Sequence, residues 1–458
     1  MQLVPVLEKI RLRPLGPRLD KDWPDLELAA WGVLLELALL AFWVFSGVWR
    51  GSWRLMAGFF LPSAVFFLVA WRVVRTKPPI TRRTRAILLG FTALFHLTML
   101  FTPYPLSNDL YRYYWDGKLL AHGVNPYAYP PAAAELASYR DKYWELIFNR
   151  DVPTGYPPLA EAMFAVTYRL APDPWALRVM ASLASLGTAV LLMRAMRAAG
   201  KDERRALLYA WSPLVALEFA NSAHLDSFAL LFMSAALLLA LKRQPVGTAI
   251  CLALGGLVKF FPALLAPVWG RHWGKTAWLA FTLVFALPWL PLLAGGTPFK
   301  GLSIFAVRAD FNSSLYRLLE NVLVIVLHSP YARQWSLATV FAILTLFYLT
   351  HLLRQRSNTN PLNDWQFAGI LFGLGLVLSP VVHPWYVCWM LAFIAIEGQA
   401  AWLVLSVTVI FARYIYIVYE QTGVLQEAWW SPLAVWIPFY MALVFSVRLI
   451  QKASRKTI

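Results

Sequence analysis

An acidic and aromatic segment near residue 110 carries the side chains best suited to chemistry. It reads Ser107-Asn108-Asp109-Leu110-Tyr111-Arg112-Tyr113-Tyr114-Trp115-Asp116-Gly117. Residues at i, i+3, i+4 and i+7 share one face of a helix, and here they are Asp109, Arg112, Tyr113 and Asp116. A carboxylate beside an arginine can act as a general base whose strength is set by that arginine and by partial burial. The same spacing also fits an interfacial helix with an internal ion pair and an aromatic belt.

Ionisable side chains recur at short junctions between apolar runs. His224 and Asp226 stand in Asn221-Ser222-Ala223-His224-Leu225-Asp226, where their i, i+2 spacing could bind a metal or sugar hydroxyls. Two ligands are too few to define a metal site. Lys259 stands in Gly255-Gly256-Leu257-Val258-Lys259-Phe260-Phe261-Pro262. A lone lysine between apolar segments either pairs with an anion or snorkels to the membrane surface.

A third junction reads Val381-Val382-His383-Pro384-Trp385-Tyr386. His383 could donate to a phosphate oxygen, although the motif also fits a turn at the membrane interface. Arg308, Asp310 and Asn312 could join the same pocket. Two strings rich in Gly, Pro and Tyr, at 123–127 and 155–159, predict tight turns that fix a loop against the membrane.

The composition that surrounds these residues is typical of a membrane protein. Of 458 residues, 59% are hydrophobic and 14% are charged, whereas soluble domains carry about 25% charged residues. The net charge of +17 reflects basic residues in short loops, as the positive-inside rule requires, rather than nucleic-acid binding. Cys251 and Cys388 both lie in apolar runs, so they predict neither a disulfide framework nor a metal site.

Apolar runs long enough to approach the roughly 20 residues of a membrane-crossing helix recur along the chain. We predict about 12–14 transmembrane helices in an all-α polytopic protein. The predicted spans are 29–49, 53–74, 86–102, 175–197, 204–222, 226–242, 246–258 with 261–270, 276–294, 332–353, 365–381, 385–398, 401–419 and 433–450. The first 28 residues have no apolar core, so we expect no cleavable signal peptide.

Basic clusters orient these spans. They occur at 72–85, 194–205, 242–243, 271–275, 354–356 and 448–456. If every cluster is cytosolic, both termini are cytosolic and successive spans cross the membrane in alternating directions without conflict. The orientation leaves one long outer loop, about 103–174, in which 157–170 is predicted to lie flat as a juxtamembrane helix.

Under this orientation the candidate residues converge on one membrane face. They are Asp109, Arg112, Asp116, His224, Asp226, Lys259 and His383. A base, carboxylates for hydroxyls and cations for an anion suit group transfer from a lipid phosphate. The alternative is a transporter or lipid flippase for a polar or anionic substrate. Transporters often carry inverted repeats and midplane sites, whereas this chain shows no repeat and places its ionisable residues at one membrane edge.

The motifs resemble those of a known group of enzymes. Asn108-Asp109-Leu110-Tyr111-Arg112-Tyr113 in an early outer loop resembles polyprenyl-phosphate-sugar-dependent glycosyltransferases of the GT-C fold. Trp115-Asp116-Gly117, Gly123-Val124-Asn125-Pro126-Tyr127 and Tyr156-Pro157-Pro158-Leu159 are most similar to glycosyltransferase family 87, the polyprenol-phosphate-mannose-dependent mannosyltransferases. His224-Leu225-Asp226, Lys259-Phe260-Phe261-Pro262 and His383-Pro384-Trp385-Tyr386 are also similar to that group.

The resemblance covers residues 86–400. It divides the single transmembrane unit into three parts. It implies an additional N-terminal helix pair (1–85), a GT-C-like catalytic module (86–400) and C-terminal helices (401–458). The sequence departs from the pattern by carrying that pair. It also has a single acid, Asp109, where some GT-C enzymes carry two, which puts a metal-dependent mechanism in doubt.

The resemblance implies a hexosyltransferase of the cell-envelope type that transfers a sugar, mannose in family 87, with inversion. The donor would be a polyprenyl-phosphate-linked sugar and the acceptor a glycan, glycolipid or protein hydroxyl on the non-cytosolic face of the plasma membrane. Asp109 would be the general base. Lys259, His383 and Arg112 would bind the donor phosphate, and the sugar or acceptor would meet Asp116, His224, Asp226, Tyr113 and Tyr386. We expect no cofactor, metal or nucleic acid.

Overall fold

Apolar runs fold into helices because, in hydrocarbon, each backbone N–H and C=O must be bonded within its own segment. The computed structural model describes residues 25–47, 51–76, 80–293, 297–326, 328–354, 360–397 and 399–455. Its helices of eight or more residues are α1 (Asp25–Ser46), α2 (Trp53–Arg75), α3 (Arg82–Leu100), α4 (Asp109–Ala121), α5 (Pro158–Leu170), α6 (Pro174–Ala198), α7 (Asp226–Leu241), α8 (Pro245–Val258), α9 (Lys275–Ala286), α10 (Lys300–Arg308), α11 (Leu315–Ile325), α12 (Ala332–Arg354), α13 (Pro361–Val377), α14 (Pro384–Glu397), α15 (Ala400–Thr408), α16 (Tyr414–Thr422) and α17 (Ser431–Arg455).

Shorter helical turns connect these helices. They are Ala134–Tyr139, Trp144–Leu146, Glu203–Ala206, Leu207–Ala210, Pro213–Val215, Ala216–Asn221, Phe261–Leu264, Ala266–Trp269, Gly270–His272, Leu287–Trp289, Leu290–Leu293 and Val409–Arg413. The β-structure within the described ranges is one isolated bridge between Phe311 and Val381. The prediction of an all-α protein is confirmed.

Capping residues and prolines set where several helices begin. Thr81 and Thr84 form a reciprocal capping box at the start of α3, which satisfies N–H groups that have no partner in the first turn. Asp173 caps α6 just before Pro174. Proline is favoured at that first helical position because the missing N–H would be unbonded there anyway.

The number of long membrane-crossing helices is smaller than predicted. Six described helices are long and apolar enough to cross a membrane, or seven if one bent pair counts as a single span. Helices α8 and α14 and the first part of α17 are apolar but shorter. The count of about 12–14 treated each apolar run as one span. Prolines and turns instead divide runs such as 204–222 and 261–270 into short pieces.

The outer surface of the bundle is apolar, as contact with lipid requires. In α12 and in the continuous helical run from Lys275 to Leu293, 11% of the most apolar stretch is buried. Exposed large side chains include Phe341 and Leu346 on α12. The interior packs α7 between α6 and α8, α1 against α2 and α3, and α15 against α17. The chain is a multi-pass membrane protein.

Basic clusters from different loops meet at one end of the bundle. Glu203 accepts hydrogen bonds from Arg85 at the start of α3 and from Arg197 at the end of α6. Burial raises the pKa of Glu203, but these two guanidinium groups outweigh it and hold the pKa at about 2. Residue 77, residue 356 and the end of the last cluster at 456 lie outside the described residues, as does the N-terminal segment 1–24 in which no signal peptide is expected.

Helix α3 runs from this basic end towards α4. Its 19 residues correspond to roughly 28 Å at 1.5 Å per residue. Helix α6 returns in the opposite direction, from Pro174 to the Glu203 cluster. The loop 103–173 that carries α4 and α5 therefore lies at the opposite end of the bundle from the Glu203 cluster.

Candidate functional site

Helix α4 holds Asp109 in its first turn. The backbone N–H of Asp109 donates to Ser107 Oγ at 3.2 Å. The helix is fixed against α5, the predicted juxtamembrane helix, where a Cβ on Gly117 would lie 2.5 Å from the backbone oxygen of Phe164. Glycine is therefore required for this approach. Tyr113 is buried and stacks on Phe164 with ring centroids 4.6 Å apart.

A broken helix delivers the second group of polar residues. The segments Pro213–Asn221 and Asp226–Leu241 are bent by 117° at a short break. The last turn before the break, Ala216–Asn221, is π-helical, a feature that often marks functional sites. Within the break, Ala223 has φ of +60°, an uncommon conformation for a residue with a Cβ. The bend places His224 and Asp226 beside α4.

Four ionisable groups form a line from Asp109 into the bundle. Asp109 Oδ2 lies 3.8 Å from His224 Nδ1, and His224 Nε2 lies 3.3 Å from Glu218 Oε2. Glu218 Oε1 in turn accepts from Arg413 Nη2 at 2.5 Å. The side chain of Asp109 is 35% exposed, whereas His224 and Glu218 are fully buried. Asp109 is thus the member that a substrate can reach.

Lys259 lies next to this line. Its Nζ donates to Asp226 Oδ1 at 2.6 Å and lies 4.3 Å from the ring centroid of Tyr386. Asp226 Oδ1 also accepts from Trp389 Nε1 at 2.6 Å. The Lys259 side chain is 29% exposed while that of Asp226 is 1% exposed. An ammonium has three N–H donors, so Lys259 can bind Asp226 and an external anion together.

His383 completes the cluster from the loop before α14. Its ring stacks on Trp385 with centroids 4.2 Å apart. The ring of His224 also stacks on Trp385, with centroids 3.7 Å apart. The loop is held by the bridge of Phe311 to Val381. Burial lowers the pKa of His383 to about 3, helped by the charge of Lys259 and by that of His224 when its ring is protonated. The His383 ring is therefore neutral at pH 7 and offers a hydrogen bond, not the positive charge expected from the sequence.

Arg112 and Asp116 form a separate buried pair on α4. Both Asp116 oxygens accept from Arg112 Nε, at 2.8 and 3.0 Å. Arg112 Nη1 donates to the carbonyl oxygen of Val152. Burial raises the pKa of Asp116, and it raises that of the fully buried neighbour Glu161 well above its usual range. Glu161 Oε1 accepts a hydrogen bond from the Thr154 hydroxyl at 2.6 Å.

Burial also controls the proton affinity of Asp109. Desolvation raises its pKa, while the charge of Lys259, and that of His224 when its ring is protonated, oppose that rise. The result is a carboxylate that holds a proton more strongly than an ordinary aspartate does, as a general base must. Beside it stands a partly exposed ammonium. The arrangement can accept a proton at Asp109 and bind an anion at Lys259.

The structure brings most of the predicted site residues together. Asp109, His224, Asp226, Lys259, His383 and Tyr386 form one cluster through the contacts above. Arg112 and Asp116 bind each other, and Tyr113 is buried. Since Asp116, His224, Asp226 and Tyr113 are at most 1% exposed, their contact with a sugar stays a prediction. Among the described residues, no group of three His, Cys, Asp or Glu side chains suits a metal ion.

Sequence reasoning missed three buried charges. Glu218 and Arg413 lie inside runs interpreted as the apolar spans 204–222 and 401–419, and Glu161 lies in the juxtamembrane helix. Ionisable residues within membrane segments are functional candidates, so the first two could have been identified from that rule. Their pairing could not, because they are 195 residues apart.

Spanning helices together with a partly exposed carboxylate and a partly exposed lysine at one end define a membrane protein with a polar site at the end of its helical bundle. A family model described as alpha-(1->6)-mannopyranosyltransferase, N-terminal domain, of the MptA_B family, matches residues 30–275. This is more than half of the chain, and the chain belongs to that family. It is a membrane glycosyltransferase, which confirms the resemblance seen in the sequence. The match begins within α1 and so includes both helices of the predicted N-terminal pair; the boundaries at 85 and 400 stay predictions.

Comparison with solved structures finds a similarity to ArnT from Cupriavidus metallidurans, in a crystal structure bound to undecaprenyl phosphate. The sequence identity is 16%, the TM-score is 0.45, and the alignment covers 81% of this chain and 77% of that one. No curated protein matches the chain.

Proposed function

We propose that this protein transfers mannose from a polyprenyl-phosphate donor to a hydroxyl group of a glycan or glycolipid. The observation that carries the proposal is the partly exposed Asp109 carboxylate beside the partly exposed Lys259 ammonium. Asp109 can take the proton of an acceptor hydroxyl, and Lys259 can bind the phosphate of a leaving group. The choice of mannose is supported by the family to which the chain belongs.

The proposed reaction is a single displacement with inversion. The acceptor oxygen attacks the anomeric carbon while Asp109 removes its proton. The new glycosidic bond forms as the bond between the anomeric carbon and the phosphate oxygen breaks, and that oxygen keeps the electron pair. Polyprenyl phosphate leaves with an added negative charge, which a preorganised cation stabilises. No nucleotide is needed, because the lipid phosphate is already a leaving group.

Lys259 is the proposed main ligand of the phosphate. Asp226 occupies one of its donors and Tyr386 lies below its ammonium, so the nitrogen is fixed in position. His383 is proposed to donate a hydrogen bond from its neutral ring. Arg112 is already engaged with Asp116 and with a backbone carbonyl, so we propose that it acts on the phosphate through its charge rather than through direct contact.

The site is proposed to face away from the cytosol at the plasma membrane. The support is the separation of the Asp109 cluster from the basic end around Glu203. Under the positive-inside rule that basic end is cytosolic. The acceptor would then be a cell-envelope glycan or glycolipid.

A donor panel tests the proposal. Purified protein in lipid nanodiscs is incubated with polyprenyl phosphates carrying mannose, glucose, galactose or arabinose, together with mannoside acceptors, and released polyprenyl phosphate is measured. We expect release with the mannose donor, dependent on acceptor, and an α-linked product from a β-linked donor. Turnover of a nucleotide sugar in place of every lipid donor, or a product that retains the donor's configuration, would contradict the proposal.

A further inference from the structure

The line of charges behind Asp109 is more elaborate than a general base needs. His224, Glu218 and Arg413 are each at most 2% exposed, and none of them can touch a substrate. Buried charges are costly unless each one is compensated. The order of signs along the line is carboxylate, imidazole, carboxylate, guanidinium. In this order each charge has an opposite charge beside it if the imidazole is positively charged.

We propose that His224 is a positioning residue that carries a proton on both ring nitrogens and stabilises the Asp109 carboxylate, while Glu218 and Arg413 hold the ring in place. The proposal rests on the proposed role of Asp109 as the base. It replaces the direct sugar contact predicted for His224 from the sequence.

The surroundings of the ring favour two ring protons. Each ring nitrogen faces a carboxylate, Asp109 on one side and Glu218 on the other, and neither nitrogen has another hydrogen-bond partner among the residues that the structure describes. A neutral imidazole has one N–H and can satisfy one carboxylate, whereas the imidazolium has two. Glu218 is held at its other oxygen by Arg413. The ring is thus fixed between two acceptors.

Packing fixes the plane of the ring. Its face lies 3.7 Å from the Trp385 ring at an interplanar angle of 19°. The backbone N–H of His224 donates to the carbonyl oxygen of Glu218 at 3.2 Å, so the π-helical turn and the ring move as one unit. This unit delivers the imidazole edge to Asp109.

The charge balance of the whole cluster points the same way. The groups around the Asp109–His224 pair that carry charge or titrate are Asp109 and Arg112 from α4, Glu218 from the π-helical turn, Asp226 from α7, Lys259 from the end of α8, His383 from the loop before α14, and Arg413 from Val409–Arg413. The phenols of Tyr113, Tyr156 and Tyr386 also face Asp109 and add no charge to the balance. Arg112 is paired with Asp116 and His383 is neutral. The remaining three carboxylates face two cations, and a charged His224 makes the cluster neutral.

The test is the pH dependence of kcat/KM. Activity needs the Asp109 carboxylate, so it falls as the pH drops through the pKa of Asp109. Removing a neighbouring positive charge raises that pKa, and an opposite charge at this distance shifts a pKa by about 1–3 units. We therefore expect His224→Gln to move the acid limb of the profile upward by about 1–3 pH units while donor affinity changes less than threefold. The matched control is His122→Gln, at the exposed end of α4, which should leave the limb in place.

Glu218→Gln provides the second variant. It keeps the ring but removes one of the two carboxylates, so the ring holds its second proton less strongly and the limb should again move upward. An unmoved limb in either folded variant overturns the proposal. If neither variant folds, ¹⁵N NMR of histidine-labelled wild-type protein provides the test. We expect one of the seven histidine rings to stay doubly protonated at pH 8. A spectrum without any doubly protonated ring would overturn the proposal.

The Asp109→Asn variant distinguishes a failure of the proposed function from a failure of the role proposed for His224. If Asp109→Asn turns over like the wild type, Asp109 is not the base and both proposals fall. If Asp109→Asn is inactive but His224→Gln has the wild-type limb, the base stands and the role of His224 is wrong.

Discussion

Lys259 has two partners in this account, a buried carboxylate and a substrate phosphate, and one set of variants separates them. Lys259→Met keeps the length of the side chain but removes its charge. Asp226 is then left 1% exposed without its cation. Removing one partner of a buried pair costs about 3–5 kcal/mol. We expect about 3 kcal/mol, because the ammonium is partly exposed and Trp389 still donates to Asp226.

The double variant Lys259→Met/Asp226→Asn removes both charges. Replacing a whole buried ion pair by neutral groups is often neutral for stability, so most of the 3 kcal/mol should return. Donor affinity should not return. A hydrogen bond to a charged group contributes about 1.5–3 kcal/mol, which corresponds to about 10- to 150-fold in Kd.

Unfolding in sodium dodecyl sulfate measures stability, and fluorescent polyprenyl-phosphate-mannose measures donor affinity. Lys142→Met is the matched control, since Lys142 lies 4.9 Å from the Tyr143 ring centroid in the same manner and is exposed. It should change neither quantity. Recovery of donor affinity together with stability in the double variant would refute phosphate binding by Lys259 and leave it a purely structural partner of Asp226.

Three further predictions concern orientation, hydrogen bonding and packing. In a cysteine-free background, a cysteine at exposed Ser138 should react with an impermeant thiol reagent added outside intact cells, and one at Arg83 should not; the reverse pattern would invert the topology. His383→Gln should weaken donor binding by roughly tenfold, and wild-type affinity should show no titration of His383 between pH 5 and 8, because its pKa is about 3. Gly301→Ala should lower stability by about 1–3 kcal/mol, because a Cβ there would lie 2.3 Å from a backbone oxygen of the loop that carries α4. Gly274→Ala, with open space around the added Cβ, is the control for thermal unfolding.

The sequence predicted which ionisable residues lie together better than it predicted how the fold brings them there. Asp109, His224, Lys259 and His383 could be identified because ionisable residues are rare among apolar runs and stand out at their ends. The basic clusters predicted which junctions share a face, and the structure brings those junctions together. Neither the rarity of ionisable residues nor the position of the basic clusters predicts how far apart two segments lie in the fold.

The remaining features depend on tertiary contacts. Glu218 reaches His224 through a π-helical turn and a 117° bend, and no periodicity in 204–222 predicts either feature. The neutral state of His383 follows from burial, to which the ring of Phe311 contributes from another segment. The overestimated number of long spans has a related cause, since hydropathy does not register where proline and tertiary packing divide a run.

The turnover of Asp109→Asn measures whether Asp109 is the general base. Asparagine keeps the shape and a hydrogen-bonding group but cannot accept the proton. Positioned proton transfer contributes about 100- to 10,000-fold. With saturating donor and acceptor, turnover per folded molecule should fall at least about 100-fold, while donor binding persists and Asp141→Asn, in the same loop, stays active. If Asp109→Asn retains more than about a tenth of wild-type turnover, Asp109 is not the base and the account is contradicted.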